Sequence, residues 1–239
     1  MSIHVEQIEY QHGDVTLEAH VAWDEAESGP RPGVLVSHAW GGRGEFEDRK
    51  AERLAELGYV GFALDMYGKG VRGNSPEENE ALMTPIVSNR PLLQERMALA
   101  LDQLRNLPHV DADKTAAIGF CFGGLCVLDL ARTGADLRGI VSFHGLLHPP
   151  GNTEGNRMAA KVLALHGWKD PLATPENVMT FTEEMAAMEA DWQLNAYGNA
   201  VHAFTNPAAA DADGGMLFDP VVERRAWDSM WMFLNEVFA

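Results

Sequence analysis

Ile118-Gly119-Phe120-Cys121-Phe122-Gly123-Gly124 is the stretch whose reading decides the fold. The apolar run from Thr115 to Phe120 predicts a buried strand before it, and Leu125 to Arg132 predicts a helix turning away after it. Glycine at a helix start costs up to about 1 kcal/mol relative to alanine, so a glycine on each side of Cys121 calls for a reason. The reason is steric. Without a Cβ at Gly119 or Gly123, strand and helix can approach closely and hold the central residue in a tight, strained turn that presents its side chain outward. A thiol there sits against the positive end of the helix, which favours the reactive thiolate. Taken alone, a cysteine between two phenylalanines is as readily a small buried hydrophobe, so its partners must decide.

Outward from that turn, the chain alternates short apolar runs with helical periodicity. Val5 to Tyr10 and Val15 to Val21, around His12-Gly13-Asp14, predict an edge hairpin. Buried strands are expected at Gly33 to Ser37, Tyr59 to Leu64, Gly139 to Phe143 and Lys161 to Leu165, with Trp192 to Tyr197 as the last. Between them, helices are expected from about Glu45 to a stop at Gly58, with Phe46, Leu54 and Leu57 inward, from Leu92 or Leu93 to Pro108, and from about Pro175 to Glu189. A final helix is capped by Asp219-Pro220 and carries Trp227, Met230, Trp231, Leu234 and Phe238 on one inward stripe. Residues 68–90, rich in Gly, Asn, Pro and Glu, form an excursion too long for an ordinary connection and are expected to act as a lid or binding loop. The pattern predicts a single α/β domain over 1–239, a mainly parallel, doubly wound sheet with helices on both faces. In such sheets ligands bind beyond the carboxyl ends of the strands, and His38, Cys121, His144, His166, Asp170 and His202 all fall at or just after strand ends.

The formal net charge of −17 disfavours nucleic acid and anionic membrane surfaces as partners. There are two cysteines, Cys121 and Cys126, placed where a bridge would be geometrically poor, so reduced thiols and a reducing compartment are expected. The beginning, Met1-Ser2-Ile3-His4, has neither a basic nor an apolar leader pattern, and no apolar run reaches membrane-spanning length, which points to a soluble cytoplasmic protein. A monomer or small homo-oligomer acting on a small molecule fits these observations.

A thiol nucleophile needs a base to take its proton and a group to hold that base in the right tautomer. Asp170, on a short turn after a strand, and His202, in the loop after the final strand, follow the cysteine in the required order. Here the chain resembles the dienelactone hydrolase family. The resemblance rests on Val36-Ser37-His38-Ala39-Trp40-Gly41-Gly42, Asp65-Met66-Tyr67-Gly68-Lys69-Gly70, Gly119-Phe120-Cys121-Phe122-Gly123-Gly124, His166-Gly167-Trp168-Lys169-Asp170-Pro171 and Val201-His202-Ala203-Phe204. It implies an α/β-hydrolase fold and cleavage of a lactone or small ester, with Cys121 attacking the carbonyl, His202 relaying the proton and Asp170 orienting His202. It also implies an oxyanion hole made by the backbone N–H groups of Ala39 and Phe122, with His38, Trp40, Tyr67 and Phe204 lining the site, and no cofactor or metal. Two positions depart from the family's best-known members. His38 replaces a glutamate that holds the thiol protonated before substrate arrives, and Asn206 replaces an arginine that binds a substrate carboxylate. Arg72 or Arg90, in or beside the excursion, is then the expected source of a substrate-binding cation, unless the substrate is neutral.

Three other readings remain at this point. A broad-specificity esterase or thioesterase would use the same turn. A metallohydrolase could use His38, His144 and His166, although no H-E-x-x-H spacing is present. A non-catalytic binding module on a hydrolase fold would not need all three polar partners.

Overall fold

The computed structural model describes residues 2–239, and its contacts divide the chain into two compact units, one ending at Ile118 and the other beginning at Gly119. In the first unit, β1 (Ile3–His12) and β2 (Val15–Asp24) form an antiparallel hairpin closed by Gly13-Asp14. A two-residue connection of this kind needs left-handed backbone, and Gly13 supplies it at φ 58°. β3 (Arg31–Ser37) and β4 (Val60–Ala63) pair in parallel, β2 pairs antiparallel with β4, and the order is β1-β2-β4-β3-β5. β5 (Val110–Phe120) runs out of this unit towards Cys121.

α1 (Glu45–Glu56) ends at Leu57, and Gly58 follows at φ 89°, as the sequence predicts. Its inner face differs from the expected one. Leu54 is fully buried, but Leu57 is exposed, and the buried positions of its first turns include Glu47 and Lys50. The 68–90 excursion is also more regular than expected. α2 (Pro76–Val87) fills most of it, with Ser75 Oγ accepting the Glu78 N–H at 3.2 Å. α3 (Arg90–Arg105) begins directly behind it, capped by Asn89 Oδ1 on the Leu92 N–H.

In the second unit α4 (Phe122–Arg132) starts at the residue after Cys121, three positions earlier than periodicity suggested. β6 (Gly139–Phe143), β7 (Lys161–Gly167) and β8 (Trp192–Tyr197) lie side by side in parallel register, with α5 (Pro175–Ala187) between β7 and β8 in the chain. β8 is not the last strand. The loop after it carries a two-stranded hairpin, β9 (Ala210–Asp211) with β10 (Met216–Leu217). α6 (Pro220–Phe238) is capped by Asp219 Oδ1, which accepts the N–H groups of Val221 and Val222. Trp227, Met230, Leu234 and Phe238 are buried, whereas Trp231 is 44% exposed and belongs to the outer face. Among the described residues no helix is long and apolar enough to cross a membrane.

Candidate active site

Cys121 adopts φ 55° and ψ −116°, a conformation that side-chain-bearing residues avoid. Close backbone contact enforces it. A Cβ on Gly119 would lie 2.0 Å from the Gly123 carbonyl oxygen, and one on Gly124 would lie 2.6 Å from the Gly145 Cα. The first contact follows from the glycine spacing, and the second ties α4 to the loop after β6, which the sequence did not reveal. The Cys121 N–H donates to the Phe143 carbonyl at 3.0 Å, while its own carbonyl accepts the Gly124 N–H, so the turn is held on both sides. Cys121 is partly exposed, Cys126 is buried within α4, and the two are not joined by a disulfide.

His202 and Asp170 arrive from separate loops of the same unit. His202 Nδ1 lies 2.8 Å from Asp170 Oδ2, with both side chains buried. The other carboxylate oxygen, Oδ1, accepts the Leu172 N–H at 2.8 Å, which fixes the carboxylate plane. An ionised Asp170 can only accept, so Nδ1 carries the proton and Nε2 is left to face elsewhere. Nε2 is buried with no partner in strict hydrogen-bond geometry, yet the Cys121 side chain acts on this ring both as a charge and through a side-chain contact. Resting nucleophile–base contacts are commonly long or bent in this way. Burial alone pulls the His202 pKa down, but the Cys121 and Asp170 side chains outweigh it and push the value up to about 10.

That shift has a sign in stability. The folded-state pKa lies above the ordinary 6.5, so the stabilisation carried by protonated His202 is complete below 6.5 and is lost as pH rises through about 10. The melting-temperature advantage of the wild type over His202→Gln is therefore expected to shrink across that interval. A constant difference would show that the ring is not held protonated by these neighbours.

The main-chain hold on His202 is equally specific. Its N–H donates to Gly215 O at 2.9 Å and its carbonyl accepts the Leu217 N–H at 3.1 Å, so the β9–β10 hairpin brackets it. Ala203 follows at φ 58°, and Phe204 turns back into the interior, 4.9 Å from the His144 ring and 5.6 Å from that of Tyr197. Phe122, at the first position of α4, has its N–H in the helix turn whose donors point out of the N-terminus.

His38, Trp40, Tyr67, Arg72 and Arg90 sit in the first unit. His38 is buried with both ring nitrogens engaged: Nε2 accepts the Met66 N–H at 3.1 Å, so Nδ1 is the protonated atom and donates to Ala39 O at 2.6 Å. Burial lowers its pKa, against the hydrogen bond to Ala39 and the charge of Asp65. The ring is thus a neutral brace between two loops. The Tyr67 hydroxyl donates to Trp40 O at 2.9 Å, and its ring meets that of His38 at 4.8 Å. The Ala39 N–H donates to Glu47 Oε1 at 3.2 Å, and Glu47 Oε2 accepts the Gly44 N–H at 3.0 Å. Burial pushes this carboxyl up to about 7, against those backbone donors. Sequence reasoning missed Glu47. Arg72 is exposed on a cavity of about 510 Å³ shared with Arg43, Asp48 and Asp65, while Arg90 Nε donates to Val87 O at 3.0 Å.

In the second unit, His144 Nε2 lies 2.7 Å from Thr205 Oγ1. His166 is buried with neither ring nitrogen hydrogen-bonded, and burial lowers its pKa against the pull of Asp170. Among the described residues, no group of three or more His, Cys, Asp or Glu side chains is arranged to hold a metal ion.

A strained residue between strand and helix, followed by an acid and a histidine on later loops, together with a mostly parallel sheet interleaved with helices, defines an α/β-hydrolase. The sequence profile of the dienelactone hydrolase family matches residues 17–238, and the chain belongs to that family. A solved structure described as a dienelactone hydrolase-like promiscuous phosphotriesterase, P91, from metagenomic libraries is 37% identical, with a TM-score of 0.95 over all of both chains. A Bradyrhizobium protein named as a probable 2-oxo-3-(5-oxofuran-2-ylidene)propanoate lactonase is 28% identical over 218 residues, 87% of this chain and 85% of that one. An uncharacterised Caenorhabditis elegans protein, K02A2.1, is 39% identical over 153 residues, 62% of this chain and 95% of its own length.

Proposed function

We propose that this hydrolase cleaves small carboxylic esters or lactones through an acyl-thioester on Cys121, with His202 as proton carrier and Asp170 as the group that orients it. The observation that carries the reading is the buried Nδ1–Oδ2 contact of 2.8 Å, which leaves Nε2 of His202 for the thiol. In the first half-reaction the Cys121 sulfur, its proton having passed to Nε2, attacks the carbonyl carbon. The oxyanion is received by the Phe122 N–H at the start of α4; the Ala39 N–H that the family pattern would add donates instead to Glu47 Oε1. The intermediate collapses with cleavage of the carbon–oxygen bond, and His202 returns the proton to the leaving alkoxide. In the second half-reaction His202 takes a proton from water, the hydroxide attacks the thioester, and the thiolate departs. Where the substrate is a lactone, the alkoxide stays tethered and the product is a hydroxy acid.

Uncharged substrates suit the site best. Asn206 brings no charge, its Oδ1 accepting the Ala208 N–H at 3.0 Å, and the acidic surface repels anions. The activities named for the relatives, lactone hydrolysis and phosphotriester hydrolysis, belong in the same substrate panel. Nitrophenyl acetate is expected to give a burst of nitrophenolate and, after acid quench, one acetyl group on the peptide containing Cys121. An unmodified Cys121 peptide during steady turnover would defeat the proposal. Paired neutral and carboxylated esters, assayed with Arg72→Ala and Arg90→Ala, decide whether either guanidinium binds substrate.

A further inference from the structure

We propose that His144 is a positioning residue for the His202 imidazole, an inference that rests on the Cys121–His202–Asp170 reading above. His144 stands just beyond β6, at φ 39°, a left-handed conformation that a side-chain-bearing residue adopts only when its surroundings enforce it. The Phe120 ring of β5 lies 6.2 Å from its ring, and three closer contacts come from the loop that carries His202. The His202 ring packs on it edge to face at 5.2 Å between centroids and 67° between planes. The Phe204 ring packs on it at 4.9 Å and 84°. The Thr205 hydroxyl holds Nε2 at 2.7 Å. His144, His202, Phe204 and Thr205 are all buried.

The geometry assigns the parts. Asp170 holds His202 at one edge, through Nδ1, which leaves the far edge of the ring, with Nε2, able to tilt. An aromatic edge packed against its surface removes that tilt, and the Thr205 hydrogen bond stops the packing ring from turning in its place. The backbone contributes from both sides. The His144 N–H donates to Leu165 O at 2.8 Å, anchoring it to β7, while positive φ at Ala203 lets His202 and Phe204 both face the same ring. A leucine at 144 would fill space without a flat surface or a ring edge to offer.

The test compares His144→Leu, His144→Phe and Thr205→Val for kcat, KM and the side-chain nitrogen NMR spectrum of His202, with melting temperature as the folding control. His144→Leu is expected to lower kcat about tenfold to a hundredfold, the scale of a small misplacement at a reacting group, with KM within about twofold. It should also broaden or remove the low-field proton signal of His202 Nδ1. His144→Phe keeps the ring and loses the Thr205 bond, so it should recover to within about fivefold of wild type, with Thr205→Val close to it. A His144→Leu enzyme within about twofold of wild type in kcat, or a Phe variant no better than Leu at equal melting temperature, overturns the proposal. Should the Leu variant fail to fold, Thr205→Val decides by the same NMR signal, an unchanged linewidth counting against it. Cys121→Ala separates the two levels of argument: full activity there removes the triad reading, whereas the His202 spectrum reports on His144 whether or not turnover is affected.

Discussion

Cys121→Ala is expected to lower kcat for nitrophenyl acetate by about 10⁴-fold or more, because it removes the proposed nucleophile and leaves the other groups of the proposed triad with nothing to activate. Residual rate over water would come from oxyanion stabilisation and binding alone. The neighbouring thiol provides the control. Cys126 is buried in α4, so Cys126→Ala should cost about 1 kcal/mol of stability and leave kcat within about twofold. The contrast between the two variants is the measurement. If both lose activity in step with a falling melting temperature, folding is being assayed. If Cys121→Ala retains more than about a tenth of wild-type kcat, the sulfur is not the nucleophile and a water-based mechanism must replace the acyl-thioester. The melting temperature of Cys121→Ala carries its own information, since replacing a residue at φ 55° with alanine leaves the strain in place. A glycine there would release it, at the expense of the same sulfur.

What the sequence made legible was whatever depends on local spacing. Gly119, Cys121 and Gly123 stand at the distances a tight strand-to-helix turn demands, and the contact between Gly119 and the Gly123 carbonyl is the steric fact behind that spacing. The order of Asp170 and His202 after the turn followed from topology in the same way. What escaped depends on contacts between distant segments or on signals that composition masked. α2 lay inside a stretch rich in breakers, yet Ser75-Pro76-Glu77-Glu78 carries a helix-start signature, and Ser75 does accept from the Glu78 N–H. Pro85 inside that helix and its weak amphipathic pattern hid the rest. Glu47 was overlooked because a charged residue on a helix is ordinarily assigned to water. Its burial makes sense only once the N–H groups of Ala39 and Gly44 are seen to need acceptors. Leu57 and Trp231 failed in the opposite direction, as apolar residues that periodicity placed inside although each lies just past the arc that packs. His144 was legible as a strand-end histidine but not as a ring-packing partner, because Phe204 and Thr205 are sixty or more positions away in the chain.

Asp170→Asn is expected to lower kcat by about 10⁴-fold while leaving the fold intact, and the reason lies in which atom holds the proton. Oδ1 of Asp170 accepts the Leu172 N–H at 2.8 Å, so the amide of an asparagine would keep its oxygen there and turn its NH₂ towards His202. Nδ1 must then become an acceptor, and the single proton of the neutral ring moves to Nε2. That atom would meet the Cys121 thiol as a donor, unable to take its proton. The electrostatics change in the same direction. A carboxylate that helps hold the His202 pKa near 10 becomes neutral, so the ring should titrate lower in the variant, with only Cys121 left to oppose the effect of burial. The pH–rate profile and the His202 NMR titration should therefore both move, and KM should not, since the substitution removes nothing that touches the acyl group. A variant with kcat within about fivefold of wild type, or one whose His202 titration is unchanged, would mean that the loop contacts to Gly215 and Leu217 suffice to hold the ring and that Asp170 stabilises structure alone. The buried carboxylate argues against that outcome: outside catalysis, a buried charge paired with a histidine is a poor substitute for an apolar residue of the same size.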